Sequence, residues 1–268
     1  MLQQRIFTAL ILASFALAAI FLLDNREFAL AMAVPVLLGA WEWSRLMGVE
    51  NNVKRALVIA SVAVLLVLIW FAGLHWIVVP GALLWLLALW LVKTYPASAR
   101  YLEDQRVLWA MGLIVLVPAW QALVYLQGLP SGPYWVLYVM LLVWGADTGA
   151  FFAGRRFGKR KLAPAVSPGK TIEGLFGGLA LTLSVAIVVA WLSDMVHEIG
   201  IIGFLVVSLI TVLASVLGDL FESMIKRHRG VKDSSNLLPG HGGVLDRIDS
   251  LTAAAPVFVA GLLLLMPS

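Results

Sequence analysis

The sequence predicts an all-α polytopic membrane protein of about nine transmembrane helices, N-terminus cytoplasmic and C-terminus on the outer side. Three observations predict it. Apolar side chains make up 62% of the 268 residues and charged ones 13%, with a mean hydropathy of +0.96, more hydrocarbon than a water-soluble fold can hide. The apolar residues fall in runs of roughly 20, the length a helix needs to cross a bilayer. The basic residues alternate between loops, as the positive-inside rule requires. Cysteine is absent, which excludes disulfides, thiolate metal sites and a cysteine nucleophile.

Apolar runs bounded by charge or turn residues place the spans near 6–23, 28–43, 56–72, 77–92, 107–127, 133–154, 171–192, 199–220 and 244–266. The first follows Arg5 and has the outline of a signal peptide, but its length favours a retained span. Only Gly73, Leu74, His75 and Trp76 separate the third from the fourth. With the N-terminus inside, the inner segments carry Arg5, then Arg45, Lys54 and Arg55, then Lys93, Arg100 and Arg106, then six basic residues from Arg155 to Lys170, then five from Lys226 to Arg247. These are 18 of the 19. Arg26 alone lies outside, and the turn from Gln127 to Gly132 and the loop around Asp194 have none. The net charge of +4 is therefore first an orientation signal and second an attraction for anionic lipid or nucleotide. Trp41, Trp43, Trp76, Trp109 and Trp135 fall near span ends, where interfacial anchors belong.

No internal repeat or soluble domain interrupts the pattern. The chain divides by chemistry into residues 1–130, a scaffold of about five helices, and 131–268, about four helices carrying the site, within one integral membrane domain. The first part has almost nothing ionisable inside its spans, whereas the second is interrupted by Asp147, Glu173, Asp219, Glu222, Asp246 and Asp249. Each such carboxylate costs about 2.5 to 3.5 kcal/mol on insertion scales and is retained where it faces a partner, a cavity or a metal.

On a helix through Leu217 to Arg227, the spacing puts Asp219, Ser223, Lys226 and Arg227 on one face. Asp246, Asp249 and Ser250 share a stripe on the next helix, so two acidic faces can converge on a hard cation such as magnesium or calcium. The structural alternative is a set of interhelical salt bridges from these aspartates to Lys226, Arg227 or Arg247. Between the two helices, Lys226, Arg227, His228, Arg229, Gly230, Val231, Lys232 and Asp233 lead to Leu238, Pro239, Gly240, His241, Gly242 and Gly243. A basic, glycine-bearing loop that opens a helix suits phosphate oxygens. In the preceding inner loop Ser167 and Pro168 read as N-cap and first helical position, which puts Lys170 in the first turn of the next span. Gly169, Lys170 and Thr171 suggest a P-loop, but the required earlier glycine falls at Pro164 and no parallel sheet surrounds it.

The stretch from Ser223 through Lys226, Arg227, Lys232, Asp233, Ser234, Ser235 and Leu238 to Pro239, Gly240, His241, Gly242, Gly243, Asp246, Arg247 and Asp249 resembles the signature of the phosphatidate cytidylyltransferase (CDP-diacylglycerol synthase) family. So do Trp144 to Lys161, with Asp147, Thr148 and Gly149, and Ser167 to Gly174. The likeness is strong over residues 144–256 and diffuse before that. Two positions depart from the bacterial pattern: Phe151 where tyrosine is common, and Ser235 where glycine is common.

The resemblance implies a magnesium-dependent nucleotidyltransferase of the bacterial inner membrane, a homodimer whose active site faces the cytoplasm. It would condense CTP with phosphatidic acid among the membrane lipids, and nucleic acid is no partner. It further implies catalytic roles for Asp219, Asp246, Lys226 and Arg227, and metal ligation by Asp219, Asp246 and Asp249, with a second cation conceivable. Substrate binding would fall to Ser223, Lys232, Asp233, His241, Gly242, Gly243, Ser167, Lys170 and Asp147. A phosphate monoester is already an anionic nucleophile, so no general base is required. Two other readings stay open: another lipid phosphate as acceptor, ether-linked or polyprenyl, and a cation- or proton-coupled transporter using Asp147, Asp219 and Asp246 as a relay.

Overall fold

A computed structural model describes residues 2–193, 196 and 199–266. Among the described residues nine long α-helices occur: α1 (Leu2–Leu22), α2 (Asn25–Leu46), α3 (Asn52–Ala72), α4 (Val78–Thr94), α5 (Gln105–Gln127), α6 (Gly132–Phe157), α7 (Ile172–Leu192), α8 (Gly200–His228) and α9 (Leu245–Leu265). Each falls on one predicted apolar run. Seven, α3 to α9, are long and apolar enough to cross a membrane. In α1 the apolar stretch is Phe7–Leu22, and α2 carries Arg26, Glu27, Glu42 and Arg45. The protein is thus an all-α polytopic membrane protein. The loop around Asp194 lies outside the described residues.

Local chemistry sets the boundaries. Asp24 and Glu27 form a reciprocal capping box on α2, and Asn51, Asp104 and Thr171 cap α3, α5 and α7, each accepting from backbone N–H groups that the first turn leaves unpaired. Gly73, at φ 62°, ends α3 in the left-handed region that glycine enters at no steric cost. That turn separates the third and fourth spans, as the sequence predicts.

Burial differs sharply between helices. Over their most apolar windows α5 is 67% and α9 56% buried, against 17% for α3 and α7, so α5 and α9 form the centre and α3 and α7 lie at the periphery. Helix pairs in lipid gain little from hydrophobic exclusion and associate through close packing and buried polar contacts. Here Tyr138 and Ser208 share a hydrogen bond of 2.6 Å, Trp43 donates to the Leu108 carbonyl at 2.7 Å and Trp120 to that of Ala29 at 2.9 Å. Such contacts average about 0.6 kcal/mol in a membrane protein. Trp43 and Trp135 are accordingly core residues, 1% and 3% exposed, not interfacial anchors. Proximity to a span end does not say which face of the helix a ring occupies.

The helix ends gather in two sets. At one end Gln105 donates to the Gly48 carbonyl, Gly48 lies against the Arg229 guanidinium, and Thr8 donates to the Pro239 carbonyl. At the other Gln127 donates to the Ile20 carbonyl, Gly128 packs on Asn25, and Gln121 meets His75.

At the first end an antiparallel hairpin, β1 (Lys161–Ala163) with β2 (Ser167–Thr171), joins α6 to α7. This corrects the expectation for Ser167 and Pro168. The cap of α7 is Thr171, whose hydroxyl accepts from Gly174 N–H at 3.1 Å, so Ser167 and Lys170 lie on a strand before the helix. Thr171 offers the same cap chemistry four residues later, and pairing with β1 draws the intervening residues into extended backbone.

Candidate active site

Lys226, near the C-terminal end of α8, turns inward and is 7% exposed. Its ammonium lies 2.5 Å from Asp246 Oδ1 and 3.2 Å from Glu222 Oε1. Asp246, in the first turn of α9, uses its other oxygen to fold the preceding loop back on itself. Asp246 Oδ2 accepts from the Ser234 N–H and hydroxyl, both at 2.9 Å, and from Gly243 N–H at 2.7 Å. A Cβ on Gly242, whose φ is 82°, would stand 2.7 Å from that oxygen, so glycine is required there on two counts. The salt-bridge alternative raised by the sequence is therefore realised at Lys226, and the same contacts assemble the loop.

A second pair lies alongside. Lys170 reaches from β2 to Asp219 Oδ2 at 2.6 Å, and Ser223 donates to Asp219 Oδ1 at 3.2 Å. Asp147, on α6, lies within electrostatic range of Lys170, Asp219 and Arg247. Asp249 accepts from Ser250 N–H at 2.7 Å and reaches Glu222. The hairpin that delivers Lys170 is held by Glu173, which accepts from the Lys159 and Arg160 N–H groups at 3.0 and 3.1 Å and from Arg160 Nε at 3.1 Å.

Asp147, Lys170, Asp219, Ser223, Lys226, Gly242, Gly243, Asp246 and Asp249 are thus brought together. Arg227 is not on the shared face. It is exposed and donates to the Val231 carbonyl at 3.2 Å, because eight residues of helix rotate it about 80° past Asp219. Lys232 and Asp233 are exposed on the loop, and His241 is half-buried beside it. Ser167 pairs with Ala163 in the hairpin.

Three residues escaped the sequence reading or went without a role in it. Glu222 is 3% exposed, and Glu173 anchors the hairpin. Glu42, on α2, is wholly buried and accepts from Ser234 and Ser235 hydroxyls and from Val244 and Leu245 N–H groups. The first five helices are therefore not free of buried charge chemistry. The available signal was a carboxylate between Trp41 and Trp43 in an apolar run.

By donor type the site fits a hard divalent cation. Buried Glu222 meets the Lys226 ammonium at Oε1, 3.2 Å away, and the Asp249 carboxyl, and Asp219 and Asp249 stand near enough to interact. Asp246 is the most heavily engaged of the three expected ligands, since one oxygen takes the Lys226 ammonium and the other takes three donors. Among the described residues no three acidic or histidine side chains close on one point. Lys226 sits near the end of α8 and Asp246 and Asp249 at the start of α9 beside a basic loop, while Asp219 and Asp147 lie nine and ten residues before the ends of α8 and α6.

A sequence profile of the cytidylyltransferase family matches residues 3–265. The chain belongs to that family. Relatives within it include phosphatidate cytidylyltransferases of Pseudomonas aeruginosa, 50% identical over 97% of this chain and 96% of that protein, and of Haemophilus influenzae, 43% identical over 96% and 97%. One of Staphylococcus haemolyticus is 49% identical over about half of each chain, 47% and 48%.

Proposed function

We propose that this member of the family transfers CMP from CTP to phosphatidic acid, forming CDP-diacylglycerol and pyrophosphate for phospholipid synthesis. The observation that carries the reading is the row of opposed charges at one end of the bundle, Lys170 with Asp219 and Lys226 with Asp246 and Glu222, in a chain whose full-length relatives bear that activity in their names. A phosphate oxygen of phosphatidate forms a bond to the α-phosphorus of CTP while the bond to the bridging oxygen breaks, and pyrophosphate leaves with that electron pair. Two polyanions must approach, so positive charge has to be fixed in place before they do. Lys226 and Lys170 hold such charge on carboxylates rather than leaving it mobile. Arg227 and Lys232 extend it at the edge of the loop, where an incoming triphosphate is first met, and His241 stands beside them as a further hydrogen-bonding group. The Gly242 backbone and, once released from Asp246 and Asp219, the Gly243 N–H and the Ser223 hydroxyl supply neutral donors. Magnesium would be held by Asp219 and Asp249 with Asp246, and when bound it supplies neutralisation of the triphosphate and of the departing pyrophosphate.

The site is taken to face the cytoplasm, where CTP is, and the chain to span the bacterial inner membrane nine times with the N-terminus inside and the C-terminus outside. The distribution of 18 of 19 basic residues to alternate loops and the grouping of helix ends support this topology. Residues 1–130 act as scaffold and 131–268 as the catalytic region, α2 contributing Glu42 across the division. The resemblance adds a homodimer. Incubation of the purified protein with labelled CTP, magnesium and lipid phosphates of different tails tests the acceptor: phosphatidate is expected to accept CMP, and preference for an ether-linked or polyprenyl phosphate would overturn that choice.

A further inference from the structure

We infer that Glu42 is a positioning residue that holds the loop and the start of α9 in register and thereby fixes Asp246 for the transfer reaction, an inference that rests on the proposed function. Each Glu42 oxygen accepts two hydrogen bonds. Oε1 takes the Ser235 hydroxyl at 2.5 Å and Val244 N–H at 2.9 Å, and Oε2 takes Leu245 N–H at 2.6 Å and the Ser234 hydroxyl at 3.2 Å. Val244 is the N-cap of α9 and has no side-chain cap of its own. Two N–H groups of that helix start, those of Val244 and Leu245, are therefore satisfied by a carboxylate some 200 positions away, where the helix dipole favours negative charge.

The clamp connects directly to the chemistry. The Ser234 hydroxyl touches both Glu42 Oε2 and Asp246 Oδ2, and it has one proton to give. Gly243, which donates to Asp246, has no room for a side chain: its Cβ would stand 2.4 Å from Glu42 Oε1. Glu42, Ser234, Gly243 and Asp246 thus form one unit built from α2, the loop and α9. A purely apolar residue at position 42 would pack α2 into the bundle but would leave the loop's donors unpaired.

Glu42→Gln retains the size of the side chain and turns one oxygen into a donor facing donors. Two measurements on purified wild type and variant test the inference. In hydrogen exchange, amides of 234–246 are expected to exchange faster in Glu42→Gln while those of α5 do not, and unchanged protection at 234–246 overturns it. In turnover of CTP with phosphatidate, kcat is expected to fall about tenfold or more, as small misplacements of reacting groups produce, with KM for CTP little changed. Ser234→Ala combined with Glu42→Gln is expected to be no worse than the worse single variant, because both act through Asp246. Wild-type kcat in Glu42→Gln, or effects that simply multiply in the double variant, overturns it. If Glu42→Gln does not elute as folded protein, Ser234→Ala, which removes the hydroxyl shared by Glu42 Oε2 and Asp246 Oδ2, replaces it in both measurements with the same expectations and the same contrary results. A wild type without turnover would sink the proposed function, and the exchange result would still decide the positioning role.

Discussion

Lys226 is enclosed by Glu222 and Asp246 at 3.2 and 2.5 Å, and all three are buried. Removing one member of such a set leaves uncompensated charge, which costs about 3–5 kcal/mol in buried pairs. Lys226→Met is therefore expected to lower the unfolding temperature in detergent as well as abolish product formation. An unchanged unfolding temperature would contradict the enclosure. At this scale helical periodicity was a sound guide for Asp219 with Ser223, four residues apart and hydrogen-bonded. It could not show that Lys226 turns to a different helix or that Arg227 points outward, since those choices depend on α9. Glu42 stood out as a carboxylate in an apolar run, but its partners were illegible for the same reason: they are 192 to 203 positions away, and no local pattern announces them.

Among elements, the β1–β2 hairpin is the one that the hydropathy pattern concealed. Ser167–Pro168 carries a helix-start signal, but Thr171 caps α7 and the preceding residues pair with β1. The consequence is functional, because a strand rather than a helix turn carries Lys170 to Asp219. Glu173 secures this hairpin by accepting from two backbone N–H groups and one guanidinium. Glu173→Ala is expected to raise hydrogen exchange severalfold across 159–171 and to lower turnover, with the helical content unchanged. Protection equal to wild type would show that the hairpin is held by other contacts. The helices of the described residues follow the apolar runs in order, and seven of them are long and apolar enough to cross a membrane, since a bilayer leaves backbone few alternatives. Their ends moved by several residues where polar residues continue a helix beyond its apolar run, most at α8, which continues to His228.

For the molecule as a whole, composition was decisive about class, and the alternation of basic residues is the ground for the proposed orientation. The chain has no cysteine, so single introduced thiols report sidedness without background. In intact cells a membrane-impermeant maleimide is expected to label Leu74→Cys and to reach Lys159→Cys only after the membrane is broken. The reverse pattern would overturn the orientation. The burial gradient from α3 and α7 to α5 and α9 was not read from the sequence, although the outward pair is the more apolar of the two, because packing rather than hydropathy sets how much of each helix is covered. The central claim is that the charges gathered around Lys226 and Asp219 transfer CMP to a lipid phosphate. Its most direct measurement is the formation of lipid-linked CMP from labelled CTP, phosphatidate and magnesium by wild type, Asp219→Asn and Asp246→Asn. Product from the wild type, and its loss in both variants by about a hundredfold or more, is the predicted result; undiminished product in both, or none from the wild type, would contradict the account.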